Sequence, residues 1–255
     1  MISTIQDKKN KKIKIWAILF WLIFWQVLSM IIDREILLVS PISAITALLK
    51  ALKEVETWQV ILLSFRKISM GFFIAFFGGV LLAIASNACA IVKDLLTPLM
   101  AIIKSVPVAS FIILCLIWID SKSLSTFISF LMVFPIIYTN TLEGIQNIDN
   151  NLYEMLNVFR VKPLKRIRYV YISQMMPYII AASKVSLGLC WKAGISAEVI
   201  GVPMRSIGGQ LYLSKLYLDM ASLFAWTLVI VVISILFEKV VLSFLKWIEY
   251  RLESC

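Results

Sequence analysis

Apolar residues in this chain gather into six long runs, Ile15 to Ile32, Ile68 to Ala85, Leu95 to Ile119, Leu124 to Leu142, Met176 to Ile200 and Ser222 to Leu245, parted by short polar segments. Each run approaches the ~20 residues with which a helix crosses a ~30 Å hydrocarbon core, so the pattern predicts an all-α integral membrane protein of about six transmembrane helices. Pro107 and Pro135 interrupt the third and fourth runs. Two shorter stretches have a different periodicity. After Ser40-Pro41, residues Ile42, Ile45, Leu48, Leu49 and Leu52 follow helical spacing, with Ser40 as N-cap and Pro41 at the first helical position. This helix is predicted to lie along the outer interface. Further on, Leu152, Met155, Leu156 and Phe159 recur at i, i+3, i+4 and i+7, while Asn151, Glu154, Asn157 and Arg160 fall largely elsewhere. That is a short amphipathic helix too polar to stay in lipid. It either docks a soluble partner or lies on the membrane surface.

Composition agrees with the pattern: 61% of the 255 residues are hydrophobic and the mean hydropathy is +0.92, above what a soluble domain of this size carries. A net charge of +10 would raise nucleic acid as a partner in a soluble protein. Here the basic residues fall where positive charge accumulates on the cytoplasmic side of a membrane, facing anionic headgroups, and nucleic acid is not expected. The clusters are Lys8 to Lys14, Arg160 to Arg168, and Lys239, Lys246 and Arg251, which place both termini inside. Arg66 and Lys67 sit at the outer start of the second run, where they snorkel toward headgroups or face protein. The Lys8 to Lys14 cluster resembles the start of a signal peptide. The run after it, however, meets Asp33-Arg34-Glu35 instead of a small-residue cleavage site, so a retained anchor is expected.

Candidate chemistry is sparse. Histidine is absent, and Cys89, Cys115, Cys190 and Cys255 have no metal-ligand spacing, so they read as small apolar residues and no metal site is expected. There is no phosphate-binding Gly-x4-Gly-Lys-Ser/Thr loop and no catalytic Ser/His/Asp or Cys/His set. A non-catalytic chain is expected, with any ATP hydrolysis or ligand capture supplied by other chains. The fifth run holds Lys184, Lys192 and Glu198. A charge facing lipid near mid-helix costs about 2.5 to 3.5 kcal/mol on insertion scales, so these side chains should face protein or water. Lys184 and Glu198, close to four helical turns apart, should share a stripe, with Lys192 about 80° around the helix. One reading has Lys192 lining a translocation path with Ser186, Ser196 and Glu198 and attracting an anionic solute. The other pairs Lys192 with an acid on a neighbouring helix. Gly188, Gly194 and Gly201 let another backbone approach.

These residues carry a family resemblance. Asp149-Asn150-Asn151-Leu152-Tyr153-Glu154-Met155-Leu156, followed by Pro177, resembles the Glu-Ala-Ala loop of type I ABC importer permeases. Ser64 to Phe72, Pro107-Val108-Ala109, Leu116-Ile117-Trp118, Trp191, Ala197 to Gly201 and Ser206-Ile207-Gly208 resemble, in order, segments of the nitrate/sulfonate/taurine group of these permeases. The resemblance covers roughly residues 40–245 and implies the MetI-like permease fold, in an inner (plasma) membrane. It implies residues 1–35 as basic segment and first helix and 36–60 as an outer amphipathic segment. The permease core is then 61–245, with its coupling loop at 148–168, and 246–255 a cytoplasmic tail. Leu152, Glu154, Met155, Leu156, Phe159 and Arg160 become the residues that couple to two cytosolic ATPase subunits, which would hold ATP and Mg, with no cofactor on this chain. A binding protein or lipoprotein outside the cell and a second permease copy complete the implied assembly. The chain departs from the family pattern at Met155 and Leu156, which replace alanines, at Arg160 and Asp120, which replace glycines, and at Ser173, which replaces a proline. By the resemblance the solute is a small molecule of the sulfonate, taurine, nitrate or pyrimidine-precursor kind. On residues alone, an ion-gradient-driven transporter or a non-transporting scaffold stays open.

Overall fold

The computed structural model describes residues 15–32, 34, 37–148, 155, 158, 159, 166 and 171–253. Among them are nine helices: α1 (Ile15–Ile32), α2 (Pro41–Ala51), α3 (Val55–Ala88), α4 (Ala90–Ser105), α5 (Val108–Cys115), α6 (Ser121–Gln146), α7 (Ser173–Gly201), α8 (Ile207–Leu216) and α9 (Met220–Glu253). Helix α2 starts as its sequence predicts. Ser40 is extended, its hydroxyl accepts the Ser43 N–H at 3.0 Å, and Pro41 occupies the first turn.

The helix that carries the second run begins at Val55, thirteen residues before Ile68, because Glu54 and not the Arg66-Lys67 pair marks the non-helical start; both cations therefore lie inside α3. Its 34 residues make a rod of about 51 Å, longer than a bilayer core, so its first turns project beyond it. Two expectations are corrected, the third run as one helix and the break at Pro135, which stays within a continuous α6. The third run, Leu95 to Ile119, is not one rod. Helices α4 and α5 meet at a 104° bend. Val106 at the bend is extended (φ −82°, ψ 132°), as a residue before proline prefers, and Pro107 has no N–H with which to continue the ladder. Pro98, Pro135 and Pro177 sit inside α4, α6 and α7 without ending them.

Helices α3, α6 and α9 are each long and apolar enough to cross a membrane, and the bent α4–α5 pair counts as a fourth candidate. Packing directions give the topology. Gly71 of α3 lies against Ser129 of α6, and Tyr138 of α6 donates to Ser86 of α3 at 2.9 Å, so these helices run parallel and α4–α5 must return between them. Helix α7 runs against α6, since Gly144 meets Tyr178 at one end and Leu124 meets Gly201 at the other. Phe237 of α9 contacts Phe65, Phe72 and Trp191, and Trp226 shares a small cavity with Thr57, which sets α9 parallel to α3. The far end of α1 is held beside the start of α9, through Trp25 against Phe224 and a Trp25 indole bond to the Val39 carbonyl at 3.0 Å. These packing directions put Ile15 and Glu253 at the same end of the bundle. Ile68, Phe72, Leu187, Trp191 and Ile137 are fully or almost fully buried at its centre.

Candidate translocation path and polar latch

Of the six coupling residues expected from sequence, Leu152, Glu154, Leu156 and Arg160 lie outside the described residues. Met155 and Phe159 are 47% and 73% exposed, and the Phe159 N–H donates to the Met155 carbonyl at 3.0 Å in a helical step. Two members of the apolar i, i+4 face are thus open on this chain.

Helix α7 divides the four path candidates into two pairs. Lys192 and Ser196 are exposed, one turn apart, and the Ser196 hydroxyl donates to the Lys192 carbonyl at 2.8 Å. Ser186 is buried and donates to the Ser183 carbonyl at 3.2 Å, and Glu198 is 1% exposed on the packed side of the helix. Lys184 is exposed, so the stripe expected to join it to Glu198 is split: the boundary between packed and open faces runs between them. Among the described residues no acid pairs with Lys192. On the open stripe Gly188 faces empty space, and the neighbouring Leu189 forms one wall of a pocket of about 340 Å³ at the α4–α5 bend. Lys104 lines the same pocket and its Nζ donates to the Thr139 hydroxyl at 3.1 Å. The Thr139 hydroxyl in turn donates to the Pro135 carbonyl at 2.7 Å. Lys104 thus stands in the lining of a largely apolar pocket, and Lys192 follows Leu189 by three positions on α7. An isolated lysine facing hydrocarbon would be unfavourable, so the stripe suits water or protein.

The buried Glu198 organises a second feature. One carboxylate oxygen, Oε2, accepts the Ser64 hydroxyl of α3 at 2.8 Å and the Gly208 N–H at the start of α8 at 3.1 Å. The Ser64 oxygen accepts the Ile207 N–H at 2.9 Å. Three helices are tied at one point, and two otherwise orphaned N–H groups of the first turn of α8 are satisfied. Gly208 is required there, because a Cβ would meet the Glu198 backbone carbonyl carbon and the Val199 nitrogen, each at 2.6 Å. The connecting loop is strained: Val202 (φ 42°) and Arg205 (φ 58°) are left-handed without being glycine. Ser206 steadies it by accepting the Gly209 N–H at 2.9 Å and donating to the Pro203 carbonyl at 3.0 Å. Sequence reasoning missed Ser64 and Gly208 as partners of Glu198. The only available signal was that polar Ser64, Glu198 and Ser206 stand in apolar surroundings.

The described helices form an all-α bundle in which α3, α6 and α9 are each long and apolar enough to cross a membrane, which defines an integral membrane protein. Residues 75–254 match the family described as the binding-protein-dependent transport system inner membrane component, and the chain belongs to that family. It is 29% identical to a nitrate import permease of Leptolyngbya laminosa over 56% of this chain and 51% of that protein. It is 22% identical to a Bacillus subtilis permease named for aliphatic sulfonates transport, over 89% of this chain and 82% of the relative. The taurine transport system permease of Escherichia coli is 20% identical over 85% and 80% of the two chains. The match thus spans about half the length of the nitrate relative and about four-fifths of the other two.

Proposed function

We propose that this chain is the solute-translocating subunit of an ATP-driven importer. Its segment 148–168 takes up movement from two cytosolic ATPase subunits through Leu152, Glu154, Met155, Leu156, Phe159 and Arg160. Family membership supports the importer reading, and the exposed Met155 and Phe159 are what an apolar docking face requires. The basic clusters favour an orientation with both chain ends in the cytosol, consistent with an even number of passes. A second copy of the chain, related by a twofold axis, would close the path, and a binding protein outside the membrane would deliver the solute. ATP and Mg would reside on the ATPase subunits.

The solute is a small anion or a zwitterion with an acidic group. The observation that carries this is Lys192, exposed on an α7 face that no other described helix of the chain covers and flanked by Ser196. Nitrate, aliphatic sulfonates and taurine, the solutes in the relatives' names, all carry an anionic group at neutral pH.

Reconstitution in liposomes with the cognate ATPase and binding protein tests both parts. Uptake should require ATP, and Glu154→Lys should abolish ATPase association and uptake together. Lys192→Met should reduce uptake of the anionic solute while leaving ATPase association intact. Uptake on an ion gradient without the ATPase would refute the importer reading, and unchanged uptake kinetics in Lys192→Met would refute the anion path.

A further inference from the structure

A groove of about 710 Å³ runs between α3 and α6 on the outer surface of the bundle, away from the 340 Å³ pocket at the α4–α5 bend. Arg66 and Lys67 of α3 and Lys122, the second residue of α6, line one end of it. Because α3 and α6 run parallel with Gly71 beside Ser129, these cations sit at the level where α6 begins, at one surface of the bundle. Deeper along the groove its lining turns apolar, through Met70 and Ile74 on α3 and Phe127 and Phe130 on α6. Lys122 and Phe130 are eight positions apart, so the apolar wall reaches about 12 Å below the charges.

No carboxylate lines this groove. The acid behind it, Glu198, is buried and already bonded to Ser64 and Gly208. Arg66 and Lys122 are exposed and have no hydrogen-bond or ion-pair partner among the described residues. Three cations lining one end of a groove whose other end is apolar are complementary to a molecule with an anionic head and an acyl tail.

We propose that this groove binds an anionic phospholipid, its phosphate among Arg66, Lys67 and Lys122 and one acyl chain against Met70, Ile74, Phe127 and Phe130. The site is separate from the solute path and requires nothing of the importer reading. It explains how a helix can carry Arg66 and Lys67 beside lipid: the counter-charge comes from the bilayer.

Native mass spectrometry of the full-length protein released from detergent, with added phosphatidylglycerol, phosphatidylcholine or glycerol 3-phosphate, provides the test. Phosphatidylglycerol should be retained over phosphatidylcholine, and Arg66→Gln or Lys122→Gln should weaken retention about fivefold per charge removed. Ile74→Trp, which fills the slot and keeps every charge, should also weaken it. Both cations mutated are exposed, and a melting curve for each variant confirms that the bundle is intact. Equal retention of the two lipids, or wild-type retention in Arg66→Gln and Lys122→Gln, would overturn the proposal. Displacement of the lipid by an equal concentration of glycerol 3-phosphate would overturn it in favour of a free-anion site. Efficient disulfide cross-linking of Lys122→Cys to a second copy would overturn it in favour of a subunit contact.

Discussion

Replacing Gly208 by alanine tests whether the Glu198 latch holds α3, α7 and α8 together. The new methyl would stand 2.6 Å from both the Glu198 carbonyl carbon and the Val199 nitrogen. These are backbone atoms of α7, so no side-chain rotation relieves the overlap, and α8 must move away by close to 1 Å to restore ordinary contact. That movement takes the Gly208 N–H out of reach of Glu198 Oε2, now 3.1 Å away, and strains the Ile207–Ser64 bond of 2.9 Å. Overpacking of this kind costs about 1–3 kcal/mol, and a lost hydrogen bond to a charged group about 1.5–3 kcal/mol. The two overlap, since movement that relieves one incurs the other, so roughly 2–4 kcal/mol is expected for the pair. For a chain of this length that lowers the melting temperature of the detergent-solubilised protein by about 5–15 °C. Fluorescence-detected size-exclusion chromatography after heating reads it directly. Ser64→Ala, which removes both its donated and its accepted bond without overpacking, should show a smaller loss. If Gly208→Ala melts within about 1 °C of the parent, the close approach of α8 to α7 is not a constraint and the latch is wrong.

Two further outcomes follow from other parts of the bundle. The side chain of Asp219 accepts the Ser222 N–H at 3.0 Å at the start of α9, and bonds from the Ser222 hydroxyl and N–H hold its carboxyl below the usual carboxylate range. A lowered folded value means stability that is present above the unfolded pKa and is lost as pH falls through the folded one. Asp219→Ala should therefore lower the melting temperature at pH 7 by the equivalent of about 0.5–1 kcal/mol, with the gap to the parent closing under acid conditions; a gap independent of pH would contradict this. Phe237 joins α9 to the core through ring contacts with Phe65, Phe72, Phe73 and Trp191. Phe237→Ala should cost toward the lower end of ~3–5 kcal/mol, because lipid chains replace only part of the lost packing, and an unshifted melting curve would show that α9 is not anchored there.

What the sequence made legible was local. The cap at Ser40-Pro41, the bounds of α1 and the extent of α7 each follow from a signal within a few residues of the element itself. Long-range geometry was not legible. Four prolines lie in apolar stretches at 98, 107, 135 and 177, and only Pro107 divides its run; the other three are carried inside helices packed against neighbours. Ser64 and Glu198 are 134 positions apart, and no periodicity links them. Angular spacing around α7 put Lys184 and Glu198 on one stripe. It could not show where the packed face ends, because that depends on α3, α6 and α8 crossing the upper part of α7.

The two faces of α7 explain why charges of opposite sign occur on one membrane helix without pairing. Glu198 faces α3 and α8, where a hydroxyl and an N–H both donate to Oε2, while the buried Oε1 has no donor. Lys192, six positions earlier and on the open side, is a donor without an acidic partner among the described residues. The helix of 29 residues is about 43 Å long, and it joins the end of the bundle where α6 finishes to the end closed by the latch. On the proposed coupling, force applied at 148–168 reaches Glu198 through a rod whose interior proline, Pro177, lies near its base, so the part bearing Lys192 moves with the latch. A permease in which the latch is loosened by Gly208→Ala should then bind its ATPase normally yet transport poorly, whereas a change confined to the docking face should lose both. That difference separates a defect in receiving force from a defect in transmitting it.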